Sequence, residues 1–167
     1  MFKTLIMLSI ILTSSLVNAK EFDLEKYMGR WYEIYSVPNR FQRDCYNVTA
    51  DYSIKENKNV KVINTCRAKG GSIKRDIEGE GVVKDLSKRY LKVYFYRPFG
   101  INVFGGDYYV LDLEENYKWA IVGTPNHKYG WILSRTETLS DKDLEIIKEK
   151  AEKLGYKWSQ FKKTETK

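Results

Sequence analysis

The sequence predicts an all-β protein: an eight-stranded antiparallel up-and-down β-barrel with one C-terminal α-helix packed outside. Short segments rich in aromatic and β-branched residues recur about every ten residues, and turn-forming residues separate them. Only one long amphipathic helical pattern occurs, near the C-terminus. A β-sandwich with a similar number of strands has the same composition and remains an alternative at this stage.

The elements follow in order along the chain. Asp23 as an N-cap and Gly29 as a terminator predict one helical turn before the first strand. The glycines at 79 and 81 divide the middle of the chain into two expected strands. The one strong helix begins after Ser140 and ends at Gly155, and a short strand is expected at 157–161. The segments of strand composition, about the number that an eight-stranded barrel needs, cover 30–37, 48–54, 60–65, 72–78, 80–84, 90–96, 107–113, 117–122 and 131–135.

The N-terminus has the pattern of an export signal. A basic residue, Lys3, precedes an apolar run at 5–12, and small residues follow at 17–19. Residues 1–19 are therefore predicted to be a signal peptide, and 20–167 a single domain in the periplasm or outside the cell. The apolar run is shorter than the roughly 20 residues that a membrane-spanning helix needs.

Export affects the interpretation of the two cysteines, because an oxidising compartment lets thiols pair. Cys45 and Cys66 are expected near the open end of one predicted hairpin, which makes a disulfide plausible. A reactive or metal-binding thiol pair is the alternative. Neither cysteine has a second cysteine or a histidine at ligand spacing, so the disulfide is preferred and no metal site is expected.

The net charge of +7 permits attraction to anionic lipid headgroups, to carboxylate ligands or to nucleic acid. Most lysines are scattered singly and form no compact phosphate-binding stripe. A solvated basic surface is the favoured interpretation, and no nucleic-acid partner is expected.

Alternation along each strand predicts which residues face the barrel interior. In 90–96, for example, Lys92 marks the face that meets water, so the other face points inward. An eight-stranded barrel leaves room for one small ligand, and the inward residues nearest its open end are expected to touch that ligand. The predicted inward residues are Val48, Ala50, Tyr52, Val62, Leu91, Val93, Phe95, Trp119, Ile121, Trp131 and Leu133.

Three short motifs resemble those of the lipocalin family, in the family's order and spacing. Gly29 and Trp31 match the first, Asp107 and Tyr108 the second, and Arg135 on the last strand the third. The resemblance covers roughly 22–161 and is strongest to the subfamily of bacterial lipocalins and apolipoprotein D. It implies that Arg135 stacks on Trp31 at the closed end of the barrel, and that Asp107 joins them there.

The resemblance also implies a function: binding, transport or storage of an apolar molecule such as a fatty acid or lysophospholipid, with a role in membrane maintenance. Arg40, Arg43 and Arg97 are the candidates for contacting a ligand headgroup, and apolar residues between 99 and 104 offer a surface for peripheral membrane contact. Lys20 stands where lipid-anchored bacterial members carry a cysteine, so a protein without a lipid anchor is expected. We expect a monomer or weak homodimer.

Little in the sequence points to catalysis. The one histidine, His127, lies in a polar turn typical of a solvated loop, and no pattern for a cofactor is present. A lipid isomerase or hydratase on the same barrel would need polar groups converging inside it, and Tyr52 is the only polar residue predicted inward. A barrel filled by its own side chains, acting as an interaction protein, is the second alternative.

Overall fold

The computed structural model describes residues 21–96 and 104–166, so the predicted signal peptide and Arg97 lie outside the described residues. Two α-helices, α1 (Leu24–Tyr27) and α2 (Asp141–Lys153), are accompanied by 3₁₀ turns at Arg40–Gln42 and Trp158–Gln160. The strands are β1 (Gly29–Ser36), β2 (Tyr46–Ile54), β3 (Val60–Arg67), β4 (Ile73–Val83), β5 (Tyr90–Tyr96), β6 (Phe104–Leu113), β7 (Trp119–Gly123), β8 (Gly130–Ser134) and β9 (Lys162–Lys163).

The strands form one closed antiparallel sheet. Their order is β2-β3-β4-β5-β6-β7-β8-β1-β9, and β1 pairs also with β2, with Gly29 opposite Tyr52 and Trp31 opposite Ala50. This closure confirms the predicted eight-stranded barrel and rules out the sandwich. The extra strand β9 pairs with the other end of β1, opposite Tyr35 and Ser36.

Two predicted strand boundaries were wrong. Residues 73–83 form one strand, because Gly79 and Gly81 make room for neighbouring side chains and do not end the ladder. A Cβ on Gly79 would lie 2.8 Å from the Phe95 ring, and one on Gly81 would lie 2.9 Å from Leu91. Residues 157–161 contain a 3₁₀ turn, and the short strand β9 follows it.

Helix α2 packs on the outside of the barrel, as predicted. Ser140 caps it by accepting a hydrogen bond from the Asp143 N–H at 3.1 Å. Its fully buried residues Ile147 and Ala151 belong to an apolar layer between the helix and the outer surface of β7 and β8.

This outer layer corrects the predicted orientation of β7. Trp119 and Ile121 face the helix, while Ala120 and Val122 face the barrel interior. Every residue of β7 is buried, so no polar side chain marked its outer face. The alternation was therefore assigned one residue out of register.

An arginine and a tryptophan stack at the closed end of the barrel. The guanidinium carbon of Arg135 lies 3.8 Å from the ring centre of the fully buried Trp31. Arg135 also donates to the carbonyls of Arg30 at 2.8 Å and Lys26 at 2.7 Å. The Trp31 indole N–H donates to the Tyr27 carbonyl at 2.8 Å. These contacts connect α1, β1 and the end of β8.

Asp107 does not join this cluster, contrary to the expectation. It lies on the outer face of β6, where it accepts hydrogen bonds from the Tyr90 hydroxyl at 2.9 Å and the Lys92 ammonium at 2.8 Å. Its register opposite Lys92 places it on the outer face, and only its neighbour Tyr108 points inward.

Gly29 has a conformational reason to be glycine. Its φ is +90°, in the left-handed region that side chains disfavour. A Cβ there would make an ordinary contact, 3.5 Å from a nitrogen of the Arg135 guanidinium, so the constraint comes from the backbone. Any other residue at this position would strain the backbone where β1 begins.

None of the helices among the described residues has the length and apolarity needed to cross a membrane.

Arg135→Lys is expected to lower the free energy of unfolding by about 1–3 kcal/mol, because lysine keeps the charge but loses the planar stack and the paired donors. Urea unfolding followed by far-UV circular dichroism measures the change. Arg30→Lys is the control: Arg30 is an exposed neighbour that bonds to Asp51, and it should change stability by less than about 0.5 kcal/mol. Equal effects of the two substitutions would contradict the role assigned to the stack.

Candidate functional site

The barrel encloses a cavity of about 880 Å³ that opens at the end opposite the Arg135 stack. This volume lies within the range of pockets that hold one small molecule, and the lining is largely apolar. A barrel filled by its own side chains is therefore excluded. The predicted inward residues that line it are Val48, Ala50, Tyr52, Val62, Leu91, Val93, Phe95, Trp131 and Leu133.

Several lining residues were missed by sequence reasoning. Leu24, Tyr27 and Met28 come from α1 and its end, which lie under the barrel and have no strand alternation to reveal them. Val60 and Val122 also line the cavity. Val122 was missed because of the register error in β7.

The 3₁₀ turn at 40–42 forms one side of the cavity mouth. A disulfide between Cys45 and Cys66 joins the chain just after this turn to β3, which confirms the predicted pairing. Arg75 on β4 donates to the carbonyl of Phe41 at 2.6 Å. The disulfide and this hydrogen bond attach the turn to β3 and β4.

The candidate headgroup residues are distributed unevenly. Arg40 lines the mouth, with its guanidinium carbon 5.1 Å from the Phe41 ring centre. Arg43 lines a smaller pocket beside it, and Arg97 lies outside the described residues. Arg75 also lines the mouth and was missed by sequence reasoning. It lies four residues before Gly79 on β4, so strand alternation places both on the inward face.

A buried carboxylate lies in the cavity wall. Glu33 is 8% exposed, and its carboxylate accepts hydrogen bonds from the Gln42 amide and, at 2.7 Å, from the Thr164 hydroxyl. Gln42 in turn accepts from the Trp131 indole N–H at 3.0 Å. Burial raises the pKa of Glu33, while the hydrogen bonds from Thr164 and Gln42 partly offset that effect. This network links the mouth turn to β1, β8 and the C-terminal segment.

The cavity floor carries a second polar group, made of three tyrosines. The Tyr108 hydroxyl lies 2.7 Å from that of Tyr27 and 3.1 Å from that of Tyr52. The expectation that Tyr52 is the only polar residue facing inward was therefore wrong. Tyr108 was considered only as part of a family motif, and Tyr27 lies in α1, where strand alternation gives no prediction.

His127 is not a solvated loop residue, contrary to the expectation. Its ring nitrogen Nε2 lies 2.9 Å from the Leu154 carbonyl, and its ring meets that of Tyr156 edge-on. It therefore supports the end of α2 and lies away from the cavity lining. In residues 21–96 and 104–166, no cluster of three or more metal-ligating side chains occurs.

A closed eight-stranded barrel with one apolar cavity open at one end defines a class of small-molecule-binding barrels. A family model described as a lipocalin-like domain matches residues 22–166. The chain belongs to the lipocalin family, which confirms the resemblance of the sequence motifs.

Named relatives support this assignment. The chain is 37% identical over 151 residues to temperature-induced lipocalin-1 of Arabidopsis thaliana, covering 87% of this chain and 80% of the relative. It is 36% identical to outer membrane lipoprotein Blc of Escherichia coli, covering 84% and 77%. It is 32% identical to apolipoprotein D of Macaca fascicularis, covering 77% and 69%.

A solved structure agrees with the fold. Insecticyanin from the tobacco hornworm Manduca sexta superposes with a TM-score of 0.67 at 20% identity, covering 88% of this chain and 82% of that one. At this identity the likeness concerns the fold alone.

The buried carboxylate predicts a pH dependence of stability. Because the pKa of Glu33 in the folded state is raised above its ordinary 4.5, the native state holds this proton more tightly than the unfolded chain does. The stability that the protonated Glu33 side chain contributes is therefore lost as the pH rises from below 4.5 through the pKa of Glu33 in the folded state. Glu33→Gln removes this titration, so the stability of wild type relative to the variant should fall between pH 4 and pH 8.

Urea titrations of both proteins at intervals of one pH unit measure this difference. Glu78→Gln, on the exposed outer face of β4, is the control and should leave the pH dependence of wild type unchanged. A difference between wild type and Glu33→Gln that stays constant with pH would contradict the prediction.

Proposed function

We propose that this protein binds and carries a single-chain lipid, a fatty acid or lysophospholipid, in the barrel cavity. The observation that carries the proposal is an apolar cavity of about 880 Å³ whose mouth bears arginines. Burying the roughly fifteen chain carbons of hexadecanoate contributes about 12 kcal/mol, and an association cost of about 4 kcal/mol leaves the roughly 8 kcal/mol that micromolar binding needs. The names of two relatives, an outer membrane lipoprotein and an apolipoprotein, are those of lipid-associated proteins.

The bound lipid would lie with its chain inside and its headgroup at the mouth. Arg40 and Arg75 line the mouth and can pair with a carboxylate or phosphate there. A charged headgroup at the apolar floor would lose its hydration without a matching partner. The mouth is therefore the favoured place for the charge.

The rim of the mouth fits contact with an anionic membrane. Phe41 is 53% exposed and Ile73 is 61% exposed, and both lie beside cations, among them Lys74 and Arg75. Exposed apolar side chains among cations are suited to a lipid surface with negative charge. We propose that an exported monomer or weak homodimer without a lipid anchor collects lipids at such surfaces, in membrane maintenance.

A lipid-modifying enzyme on the same barrel is the alternative. Both oxygens of the Glu33 carboxylate accept hydrogen bonds from protein side chains, which favours a structural role for this group. Lipid recovered unchanged after long incubation with the protein supports the carrier, and a converted lipid supports the enzyme.

Native mass spectrometry of the purified protein is expected to detect one bound acyl lipid. Calorimetry should give micromolar or tighter binding of hexadecanoic acid or of hexadecanoyl-lysophosphatidylcholine. Val62→Trp places a large side chain in the cavity and should weaken this binding roughly tenfold or more, since it excludes several methylenes. Lys61→Trp, the neighbour on the outer face, is the matched control. Failure of wild type to bind either lipid would overturn the proposal.

The double variant Arg40→Gln/Arg75→Gln tests the role of the mouth. It should weaken hexadecanoate binding roughly tenfold while changing the affinity for uncharged monohexadecanoylglycerol little. It should also lower co-sedimentation with phosphatidylglycerol vesicles. The control is Arg30→Gln, an exposed arginine at the closed end. Equal losses for the charged and uncharged lipids would contradict the assignment of the headgroup to the mouth.

A further inference from the structure

Three tyrosine hydroxyls meet at the floor of the cavity. Tyr27 comes from α1, Tyr52 from β2 and Tyr108 from β6, and all three line the cavity. Tyr27 is 2% exposed and Tyr52 is 9% exposed. The Tyr108 hydroxyl lies between the other two, 2.7 Å from Tyr27 and 3.1 Å from Tyr52.

The hydrogen bonds in this cluster do not use all of its protons. Each hydroxyl carries one O–H donor, so the three tyrosines have one donor more than their two mutual hydrogen bonds consume. These hydroxyls have no other hydrogen-bond partner within the described part of the chain. Whichever way the two bonds run, one O–H remains for an acceptor at the cavity floor.

This donor persists over the physiological pH range. Burial raises the pKa of Tyr52 to about 12, and it raises the pKa of Tyr27 and of Tyr108 well above 10. A buried donor without an acceptor is unfavourable, whereas a donor that meets an acceptor on a ligand is not. The floor therefore differs from the apolar wall above it in what it can recognise.

We propose that the three tyrosines form a polar subsite for a neutral oxygen acceptor, a hydroxyl or carbonyl, at the far end of an otherwise apolar ligand. The inference rests on the proposed function, because it concerns the other end of the same bound chain. A carboxylate does not fit, since the cluster offers it one O–H and Arg135 is not among the residues that line the cavity. The preferred ligands are acyl chains oxygenated near their tail.

Calorimetry with paired ligands tests the subsite. Hexadecanoic acid is compared with 16-hydroxyhexadecanoic acid, and matched pairs of 12 to 18 carbons cover the length that reaches the floor. Wild type should bind the best-fitting hydroxy acid at least as tightly as its unsubstituted partner. The variant Tyr27→Phe/Tyr52→Phe/Tyr108→Phe keeps the shape and removes all three donors, so it should bind that hydroxy acid at least roughly tenfold more weakly than the plain acid.

Tyr90→Phe/Tyr109→Phe is the matched control, because this stacked pair lies on the outer face of β5 and β6. If wild type binds plain fatty acids but discriminates against every hydroxy acid as strongly as the triple variant does, the subsite is wrong and the carrier function stands. If wild type binds none of these acids and no lysophospholipid, the proposed function itself fails.

A spectroscopic measurement on wild type alone covers the case in which the triple variant does not fold. The ligand is 15-oxohexadecanoic acid labelled with ¹³C at the ketone. Its ketone carbonyl stretch should have a lower frequency in the bound acid than in the free acid dissolved in hexane, as expected for a hydrogen-bonded ketone. A ketone that keeps its hexane frequency when bound would overturn the subsite.

Discussion

The pairing of β1 with β2 is the constraint on which the rest of the structure depends. It closes the sheet, so each of β1 to β8 has a neighbour on both sides and the inward side chains must either fill the interior or surround a space. The pairing uses only Gly29–Tyr32, and the other end of β1 pairs with β9. The two strands separate towards the mouth, and the 3₁₀ turn at 40–42 and the C-terminal segment occupy that opening. The position of the cavity entrance thus follows from the short pairing of β1 with β2, which leaves these strands apart at the mouth.

Polar groups lie at both ends of the apolar cavity. At the floor, the three tyrosine hydroxyls bond to one another, and near the mouth Glu33 accepts hydrogen bonds from Gln42 and Thr164. Between these ends the wall is formed by side chains such as Val62 and Val93, which have no hydrogen-bonding atoms. The cavity therefore distinguishes the ends of a long ligand from its middle, which a barrel with a uniformly apolar interior cannot do.

The sequence was sufficient to predict the fold because its strands alternate and its family motifs occur in order. Alternation worked in β5, where Lys92 marks the outer face, and it failed in β7, where both faces are buried. Gly79 was misinterpreted because its role depends on Phe95, which lies on a neighbouring strand. Tyr27 and Glu33 were missed for a similar reason: a residue's membership of a site depends on contacts with distant parts of the chain. Asp107 was assigned to the closed end from its motif, while the strand register decides which way it points.

The C-terminal segment lies close to the mouth. The Thr164 amide donates to the Ile34 carbonyl, and the Glu165 carbonyl accepts from the Asn47 amide, so residues 162–165 run along the open end of β1 and the start of β2. A polyhistidine tail fused after this segment would emerge beside the ligand entrance, where its imidazoles could compete for the same lipids or block their passage. Recombinant protein for lipid titrations is therefore better purified with a removable tag at the other terminus of the mature chain.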